Sequence, residues 1–239
     1  MAFKQFLIGD QLTVKIYKRK SSRSLKLSIA STGEVRVSIP LWAPYSAGIT
    51  FAKSKLDWIL SQQKPATILV NNQPIGKAHH LVFEQTNLSK VSSRIVGSEI
   101  RIKFPISMNY LDLEVQKKAA NASIKALRSQ AEQLLPQRLI TLADQHGFSF
   151  KSVSVKKLKS RWGSCDQKTN IVLNLYLMQL PWECIDYVLI HELVHTRVMR
   201  HGPDFWQAMQ KELLNLTALR VQIKRYHPIL LGSLDSDVA

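Results

Sequence analysis

One short polar motif inside an apolar stretch, residues 181–198, constrains this chain more than any other feature. His191, Glu192 and His195 follow the pattern His-Glu-x-x-His, and most of the residues around them are apolar, which predicts a buried helix. Residues four apart in a helix lie about 40° apart around its axis and about 6 Å apart along it, so the two histidines lie on the same side. Buried histidines and carboxylates need polar partners, because they destabilise the folded state when unsatisfied.

The spacing of the two histidines predicts a zinc site. Both imidazoles can reach one Zn²⁺ at about 2.1 Å, and Glu192 lies beside the same edge, where it can act as general base toward a metal-activated water. The alternative is a structural role, in which hydrogen bonds hold both histidines in the core and Glu192 forms a salt bridge. The zinc site is the stronger interpretation, since one metal ion with a water molecule satisfies all three side chains.

A third ligand has to come from outside the motif, and His201 is the first candidate. It follows His195 by six residues, and an unbroken helix would turn it about 240° away. The Gly-Pro pair directly after His201 indicates that the helix has ended by this point, so the chain can fold back and present this imidazole to the metal. Glu212 and His227 are the rival ligands.

Further motifs around this helix give a more specific resemblance. They are Ser-Arg-Trp-Gly-Ser-Cys at 160–165, Asn-Ile at 170–171 with Asn174, Leu-Pro at 180–181, Ile-Asp-Tyr-Val at 185–188 and Phe-Trp at 205–206. Together with the histidine motif and His201, they resemble the YgjP-like metallopeptidase domain family. The amino-terminal strands, the helix containing Trp58 and the long central helix are arranged as in that family, so the resemblance covers nearly the whole chain.

The resemblance implies an α+β fold with a zincin-type catalytic core, related to that of the SprT-like metalloproteases. It implies zinc on His191, His195 and His201, with Glu192 as the general base, and a short edge β-hairpin beside the active-site helix. The reported activities of this family are uneven. The domain is named for peptidases, whereas a bacterial relative is described as a nucleoside triphosphate pyrophosphatase acting on UTP.

Three function classes are open to such a chain, and a zinc-dependent hydrolase of peptide bonds comes first because of the zincin motif. Pyrophosphohydrolysis of a nucleoside triphosphate is the alternative, although the sequence has no Gly-rich phosphate loop and no carboxylate cluster for Mg²⁺. The third is a nucleic-acid-associated protease or binding protein, although no helix-turn-helix, zinc-finger or RNA-binding signature is present. None of these motifs specifies an oligomeric state.

Residues 161–164 are the candidate substrate-binding segment. An edge strand beside a metal-binding helix can hold an extended substrate through backbone hydrogen bonds, which predicts contacts from Trp162, Gly163 and Ser164. Arg161 can stabilise an oxyanion or clamp a phosphate, because a guanidinium suits bidentate contacts with oxygen atoms. The alternatives are an ion pair of Arg161 with Asp186 and a packing role for Trp162.

The net charge of the chain is strongly positive. Thirty-three Lys and Arg residues against 17 Asp and Glu residues give a formal charge of +16 at pH 7. Such a charge attracts anions, among them nucleic acids, nucleotides, acidic peptides and anionic membrane surfaces. The alternative is a surface that only keeps the protein in solution. The basic run at 156–161 lies beside the predicted site, where it can steer anionic substrates.

The cysteine content and the hydropathy of the chain indicate the cellular compartment in which it is expected. The two cysteines, Cys165 and Cys184, exclude a disulfide framework, and no segment reaches the roughly 20 apolar residues of a membrane span. The first residues lack the pattern of a signal peptide, so a reducing cytoplasm is expected. Cys165, like the pair His79 and His80, has no partner at metal-ligand spacing and is expected to be structural.

Alternation with period two predicts a β-rich amino-terminal region with one helix, residues 1–105. Its strands lie at 12–17, 24–29 and 34–39, and short strands follow between 68 and 104. The first three strands should form an antiparallel meander, with a turn at 31–33. The helix should span residues near 46–63, where apolar side chains lie on one face.

A long helix opens the second predicted region, residues 106–239. The helix runs from about 109 to 146, and Pro136 should kink or divide it. Strands at 151–155 and 170–176 then flank a hairpin loop at 163–169. We expect this region to be zincin-like and catalytic, and the whole chain to be α+β.

Overall fold

The computed structural model describes residues 3–8, 12–20, 22–29, 34–56, 59 and 68–230. Close contacts divide the chain into two compact units, Met1–Ala66 and Thr67–Ala239, each of which is described by itself. The boundary expected from the sequence follows residue 105, whereas the strands between 68 and 105 share a core with the second unit. The structure mixes sheets and helices, as the predicted α+β class requires.

The first unit is a four-stranded sheet with a helix packed on it. Its elements are β1 (Phe3–Ile8), β2 (Leu12–Arg19), β3 (Lys26–Ile29), β4 (Val35–Pro40) and α1 (Tyr45–Lys53). Alternate residues of β2 and β4 are buried, because every second side chain of a strand faces the same side of the sheet. Ala52 of α1 joins these side chains in one core.

The antiparallel meander predicted for the first unit is correct only in its last pair, because β3 and β4 are antiparallel, with Leu27 opposite Val37, whereas β2 pairs with β4 and not with β3. The strand order is β1-β2-β4-β3, and β2 pairs with β4 in parallel, with Val14 opposite Val35. Alternation along a strand determines which face is buried but carries no information about the neighbouring strand. The predicted antiparallel region is therefore a mixed sheet. The predicted turn at 31–33 and part of the predicted helix at 46–63, including Trp58, lie outside the described residues.

The second unit begins with another four-stranded sheet and a long helix. The elements are β5 (Pro74–Ile75), β6 (His79–Thr86), β7 (Ser92–Val96), β8 (Glu99–Pro105) and α2 (Leu113–Gln145). The strand order is β5-β6-β8-β7, with β6 and β8 parallel. α2 continues through Pro136 and is not divided there. Its buried residues, among them Leu127 and Leu135, form one core with this sheet and with the helices that follow.

A three-stranded sheet, one 3₁₀ helix and three shorter α-helices complete the second unit. They are β9 (Ser152–Lys156), β10 (Gly163–Cys165), β11 (Asn170–Asn174), a 3₁₀ helix (Leu175–Gln179), α3 (Trp182–His195), α4 (Pro203–Glu212) and α5 (Leu216–Ile223). β11 lies in the middle of the sheet, antiparallel to β10 and parallel to β9. β10 contacts α3, whose residues are mostly buried. Of the helices in the described ranges, none has the length and hydropathy needed to cross a membrane.

Candidate metal centre

Three histidine side chains meet at the carboxyl end of α3. His191 and His195 lie in its last turns, and His201 lies between α3 and α4. The Nε2 atoms are 3.2 Å apart in His191 and His195, 3.1 Å apart in His195 and His201, and 3.0 Å apart in His191 and His201. Within the described ranges, these histidines are the one group of three ligand side chains close enough to share an ion.

This set of donor atoms fits a zinc ion. Ligands placed tetrahedrally at about 2.1 Å from zinc lie about 3.4 Å from one another, close to the separations of the three nitrogen atoms. Zinc binds the neutral imidazole. Burial, followed by the charges of His195 and His201, lowers the pKa of His191 to about 3. Burial also lowers the pKa of His195, so both imidazoles of the helix are neutral near pH 7.

The turn after α3 brings His201 to the other two histidines. α3 ends at His195, and Pro203 is the first residue of α4, so the chain reverses between them. Nδ1 of His195 lies 3.1 Å from the carbonyl oxygen of Val198, an arrangement that places the proton on Nδ1 and leaves Nε2 for the metal. The fully buried ring of Phe205 packs against the three imidazoles, with centroid separations of 4.8, 4.6 and 4.7 Å for His191, His195 and His201.

The rival third ligands lie elsewhere. The carboxylate of Glu212 pairs with His146, with 2.7 Å between its Oε2 and Nδ1 of the histidine. Neither Glu212 nor His227 belongs to the group of converging ligand atoms in the part of the chain that the structure describes. His79 also has another partner, since Nε2 of Gln130 lies 2.7 Å from its Nδ1.

The carboxylate of Glu192 is buried beside the histidines. The residue is 4% exposed, and its Oε2 atom has no hydrogen-bond partner among the described residues. Burial raises the pKa of Glu192 to about 8, against the opposing effect of the Arg161 charge. A buried polar atom without a partner costs free energy. Oε2 of Glu192 is therefore a buried acceptor to which no described residue donates a hydrogen bond.

The burial of Glu192 predicts how the stability of the metal-free protein depends on pH. A carboxyl whose pKa is raised on folding stabilises the folded state below the unfolded-state pKa, and this contribution is lost as the pH rises through about 8. We expect the unfolding midpoint of the metal-free wild type to fall more steeply between about pH 5 and about pH 9 than that of Glu192→Gln, whose side chain stays neutral. Thermal unfolding with chelator present measures this, and parallel pH profiles for the two proteins would contradict it.

A cavity of about 520 Å³ opens at the histidines. The predicted substrate-binding residues Arg161, Trp162, Gly163 and Ser164 line it together with His191, Glu192, His195 and His201, and the other lining residues are Cys165, Tyr187, Val188, Met199 and Ile223. The structure therefore brings every predicted site residue to one place. Whether each of them has its predicted role stays a prediction.

Gly163 allows β10 to approach the buried carboxylate. A Cβ atom built at Gly163 would lie 2.6 Å from Oε1 and 2.8 Å from Cγ of Glu192. Carbon atoms in van der Waals contact are separated by about 3.5–4.0 Å, so a side chain at this position would force the strand or the carboxylate to move. The absence of a side chain at Gly163 is thus part of how Glu192 is placed.

The outer edge of β10 lies beside this carboxylate. β10 pairs with β11, with Gly163 opposite Leu173, and no other described strand lies along its second edge. The loop before β10 is held by the buried Asn174, whose Nδ2 atom donates to the carbonyl oxygens of Leu158 and Arg161 at 3.0 and 2.8 Å. An edge strand with free backbone groups therefore forms one wall of the cavity.

Arg161 lies exposed at this wall and forms no ion pair with a carboxylate of the described residues. The alternative pairing with Asp186 is wrong, because that carboxylate accepts hydrogen bonds from Arg138 at 2.8 and 2.6 Å. The competing arginine comes from α2, far away in the sequence. Burial raises the pKa of Glu192, and the positive charge of Arg161 lowers it by a smaller amount.

Several residues near the histidines were not predicted as site residues. The ring of Trp206 lies 6.0 Å from that of His201 at an interplanar angle of 29°, and the guanidinium of Arg220 lies 3.8 Å from the centroid of the Trp206 ring. Tyr187 precedes His191 by four residues, or one helical turn, so the sequence alone could have placed it next to this histidine. Arg220 comes from α5, and no local pattern points to it.

Cys165 lines the cavity without becoming a ligand candidate. Burial, followed by the charges of Glu192 and Asp166, raises the pKa of its thiol to about 11. The thiol therefore stays protonated at neutral pH, and a protonated thiol is neither a nucleophile nor a metal ligand. This agrees with the structural role expected for Cys165.

Solved structures and one family model are similar to parts of this chain. No curated protein sequence matches the chain significantly. Two solved structures of archaeal metallopeptidase zymogens are similar to it: Pyrococcus abyssi abylysin, with 24% identity and a TM-score of 0.34, and Methanocaldococcus jannaschii jannalysin, with 16% identity and a TM-score of 0.35. Each similarity covers 38% of this chain and 94% of the other.

A family model matches a much larger part of the chain. The model describes the YgjP-like metallopeptidase domain, and the match extends over residues 23–226. It includes β10, α3 and His201, which together form the cavity described above. Since this match spans well over half of the chain, the protein belongs to the YgjP-like metallopeptidase domain family.

Proposed function

We propose that this protein is a zinc-dependent metallopeptidase in which His191, His195 and His201 hold the metal and Glu192 is the general base. One observation carries the proposal: three imidazole Nε2 atoms converge within 3.0–3.2 Å of one another in a cavity that also contains the carboxylate of Glu192. A core of structural histidines would instead pair each ring with its own acceptor.

The histidines and Glu192 have different roles in the proposed hydrolysis. The three histidines would hold a zinc ion, which would act as a Lewis acid and lower the pKa of a water molecule. Glu192 accepts the proton of the attacking water on its carboxylate, which lies in the same cavity as the three histidines. The buried surroundings of this carboxylate favour its protonated form, so it can hold the proton until the leaving amine takes it.

Substrate binding is assigned to β10 and the loop before it. Ser164 pairs with Val172 of β11, so the backbone groups of Gly163 are the ones on the free edge, where an extended peptide would lie along the strand as an additional neighbour. Trp162 is half-buried and packs against the core, so it supports this wall. Arg161 is exposed and free of ion pairs with described carboxylates, and it can contact an oxygen atom of the substrate.

A second candidate activity is pyrophosphohydrolysis of a nucleoside triphosphate. It is favoured by the guanidinium of Arg161 at the cavity wall and by the formal charge of +16, both of which suit a polyanionic substrate. The same zinc site and the same Glu192 would serve this reaction, with phosphorus in place of the carbonyl carbon as the centre attacked. The peptide remains the first candidate because of the edge strand.

The test compares two substrate panels on one zinc-loaded preparation of the full chain. We expect cleavage of an unstructured peptide library, read by mass spectrometry, and loss of that cleavage when the zinc is removed with chelator and its return when zinc is restored. Release of pyrophosphate from nucleoside triphosphates without peptide cleavage would favour the second candidate. A protein that binds no zinc, or cleaves both panels equally well without it, would contradict the proposed zinc hydrolase.

A further inference from the structure

Tyr187 lies on the helix face that carries the metal ligands. Tyr187, His191 and His195 are spaced four residues apart in α3, which places them in one row along the helix. The ring centroids of Tyr187 and His191 are 6.0 Å apart. The residue is 7% exposed, and it lines the cavity together with Glu192. A phenol thus lies in the cavity wall one helical turn from a metal ligand.

The hydroxyl of Tyr187 has no partner within the described part of the protein. No described residue forms a hydrogen bond with it, and it is not among the fully buried oxygen atoms that lack a partner, so the hydroxyl of this cavity-lining residue keeps some accessible surface. The hydroxyl of a buried tyrosine usually finds a hydrogen-bond partner. An unpartnered hydroxyl in a cavity wall is therefore available to a molecule bound in that cavity.

A phenol supplies the kind of contact that hydrolysis requires. It is protonated at neutral pH and donates a hydrogen bond, with an ordinary pKa of about 10. When water attacks a carbonyl carbon or a phosphorus atom, negative charge develops on an oxygen of the substrate, and a preorganised donor in a cavity stabilises that charge. Tyr187 is preorganised because its ring packs within a helix that is mostly buried.

We propose that Tyr187 is a catalytic residue whose hydroxyl donates a hydrogen bond to the substrate oxygen that becomes negatively charged during hydrolysis. The inference rests on the proposed function but names a residue outside the zinc, base and edge-strand assignments. Two side chains would then stabilise the negative charge on the substrate oxygen, Tyr187 on the helix and Arg161 on the exposed loop. We expect Tyr187 to contribute more of this stabilisation, because a side chain on a buried helix loses little conformational freedom when the charge forms.

The test is Tyr187→Phe, which keeps the ring and removes the hydroxyl. We expect kcat to fall about 100-fold with KM little changed, since removing one donor to a developing oxyanion costs about 10²–10³-fold. Zinc content and zinc affinity should equal those of the wild type. Tyr176→Phe is the matched control, because Tyr176 is equally buried but does not line the cavity, and its kcat should be unchanged.

A binding measurement makes the result independent of turnover. The probe is an end-blocked Ala-Ala phosphinic peptide, whose tetrahedral anionic group resembles the charged species formed during attack, and calorimetry gives its affinity for zinc-loaded protein. We expect Tyr187→Phe to weaken this affinity about 100-fold and to leave the affinity of the uncleaved parent peptide unchanged. If the wild type cleaves neither substrate panel and Tyr187→Phe still weakens phosphinate binding, the proposed function fails, and the contact of Tyr187 with the anionic group is supported separately. Equal kcat and equal phosphinate affinity in the two proteins, or a loss of zinc in the variant, would overturn the inference.

Discussion

Glu192→Gln is expected to lower kcat of the zinc-loaded protein about 1,000-fold while zinc stays bound, because general acid–base catalysis contributes about 10²–10⁴-fold. The amide has nearly the same size as the carboxylate, so it fits the space beside Gly163. It cannot accept a proton from the attacking water. Since the three histidines that hold the metal are unchanged, zinc affinity should stay within a few-fold of the wild-type value.

Steady-state kinetics and zinc analysis on the same sample measure this separation. Glu183→Gln is the matched control, because Glu183 lies on the same helix but is exposed at its first turn, away from the cavity. Its kcat should equal that of the wild type. An active Glu192→Gln protein with a full complement of zinc would mean that another group accepts the proton, and the assigned mechanism would be wrong.

Gly163→Ala should lower both kcat and stability. The added methyl group would lie 2.6 Å from Oε1 of Glu192, so the carboxylate or β10 must shift. A misplacement of about 1 Å in a catalytic group can cost about 100-fold in rate, and we expect a fall of at least about this size. Overpacking a buried site costs about 1–3 kcal/mol of the free energy of unfolding, so thermal unfolding should also occur at a lower temperature.

The double variant Gly163→Ala/Glu192→Gln identifies the cause of that fall. If the methyl group acts by displacing the base, adding it to Glu192→Gln should reduce kcat no further, because the base is already absent. Gly202→Ala is the control glycine, since a Cβ there has no neighbouring atom within 4 Å and the backbone φ is −85°. Independent, multiplicative losses in the double variant would show that Gly163 acts through something other than Glu192.

The geometry of the histidine motif could be predicted because it is local. The spacing of His191 and His195 in a helix brings their Nε2 atoms to 3.2 Å, and nothing outside α3 is needed for that. The position of His201 depends on the reversal of the chain after α3, which the Gly-Pro pair only suggested. The rival Glu212 could not be set aside from the sequence, since its partner His146 lies at the end of α2, far away in the chain.

Other expectations failed where tertiary structure decides between equal local patterns. The strands of the first unit alternate as predicted, but the same alternation suits the parallel pairing of β2 with β4 and an antiparallel meander. Asp186 was a reasonable partner for Arg161, and Arg138 of α2 takes that place instead. Pro136 does not divide α2, because the rest of the helix's buried face is held in the core, and the kink expected at this residue stays a prediction.

The sequence positions of the metal ligands and of the glycine beside Glu192 have a consequence for how the protein matures. All three ligands lie between residues 191 and 201, so closing the loop between them costs little chain entropy, and the ion can be captured by a nearly local segment. The wall at Gly163 belongs to a strand of three residues that pairs with β11 alone among the described strands. Such a short edge strand opens at a low free-energy cost. We therefore expect the binding of a metal ion and the placement of β10 against Glu192 to be separate events, so that metal content alone would not report activity.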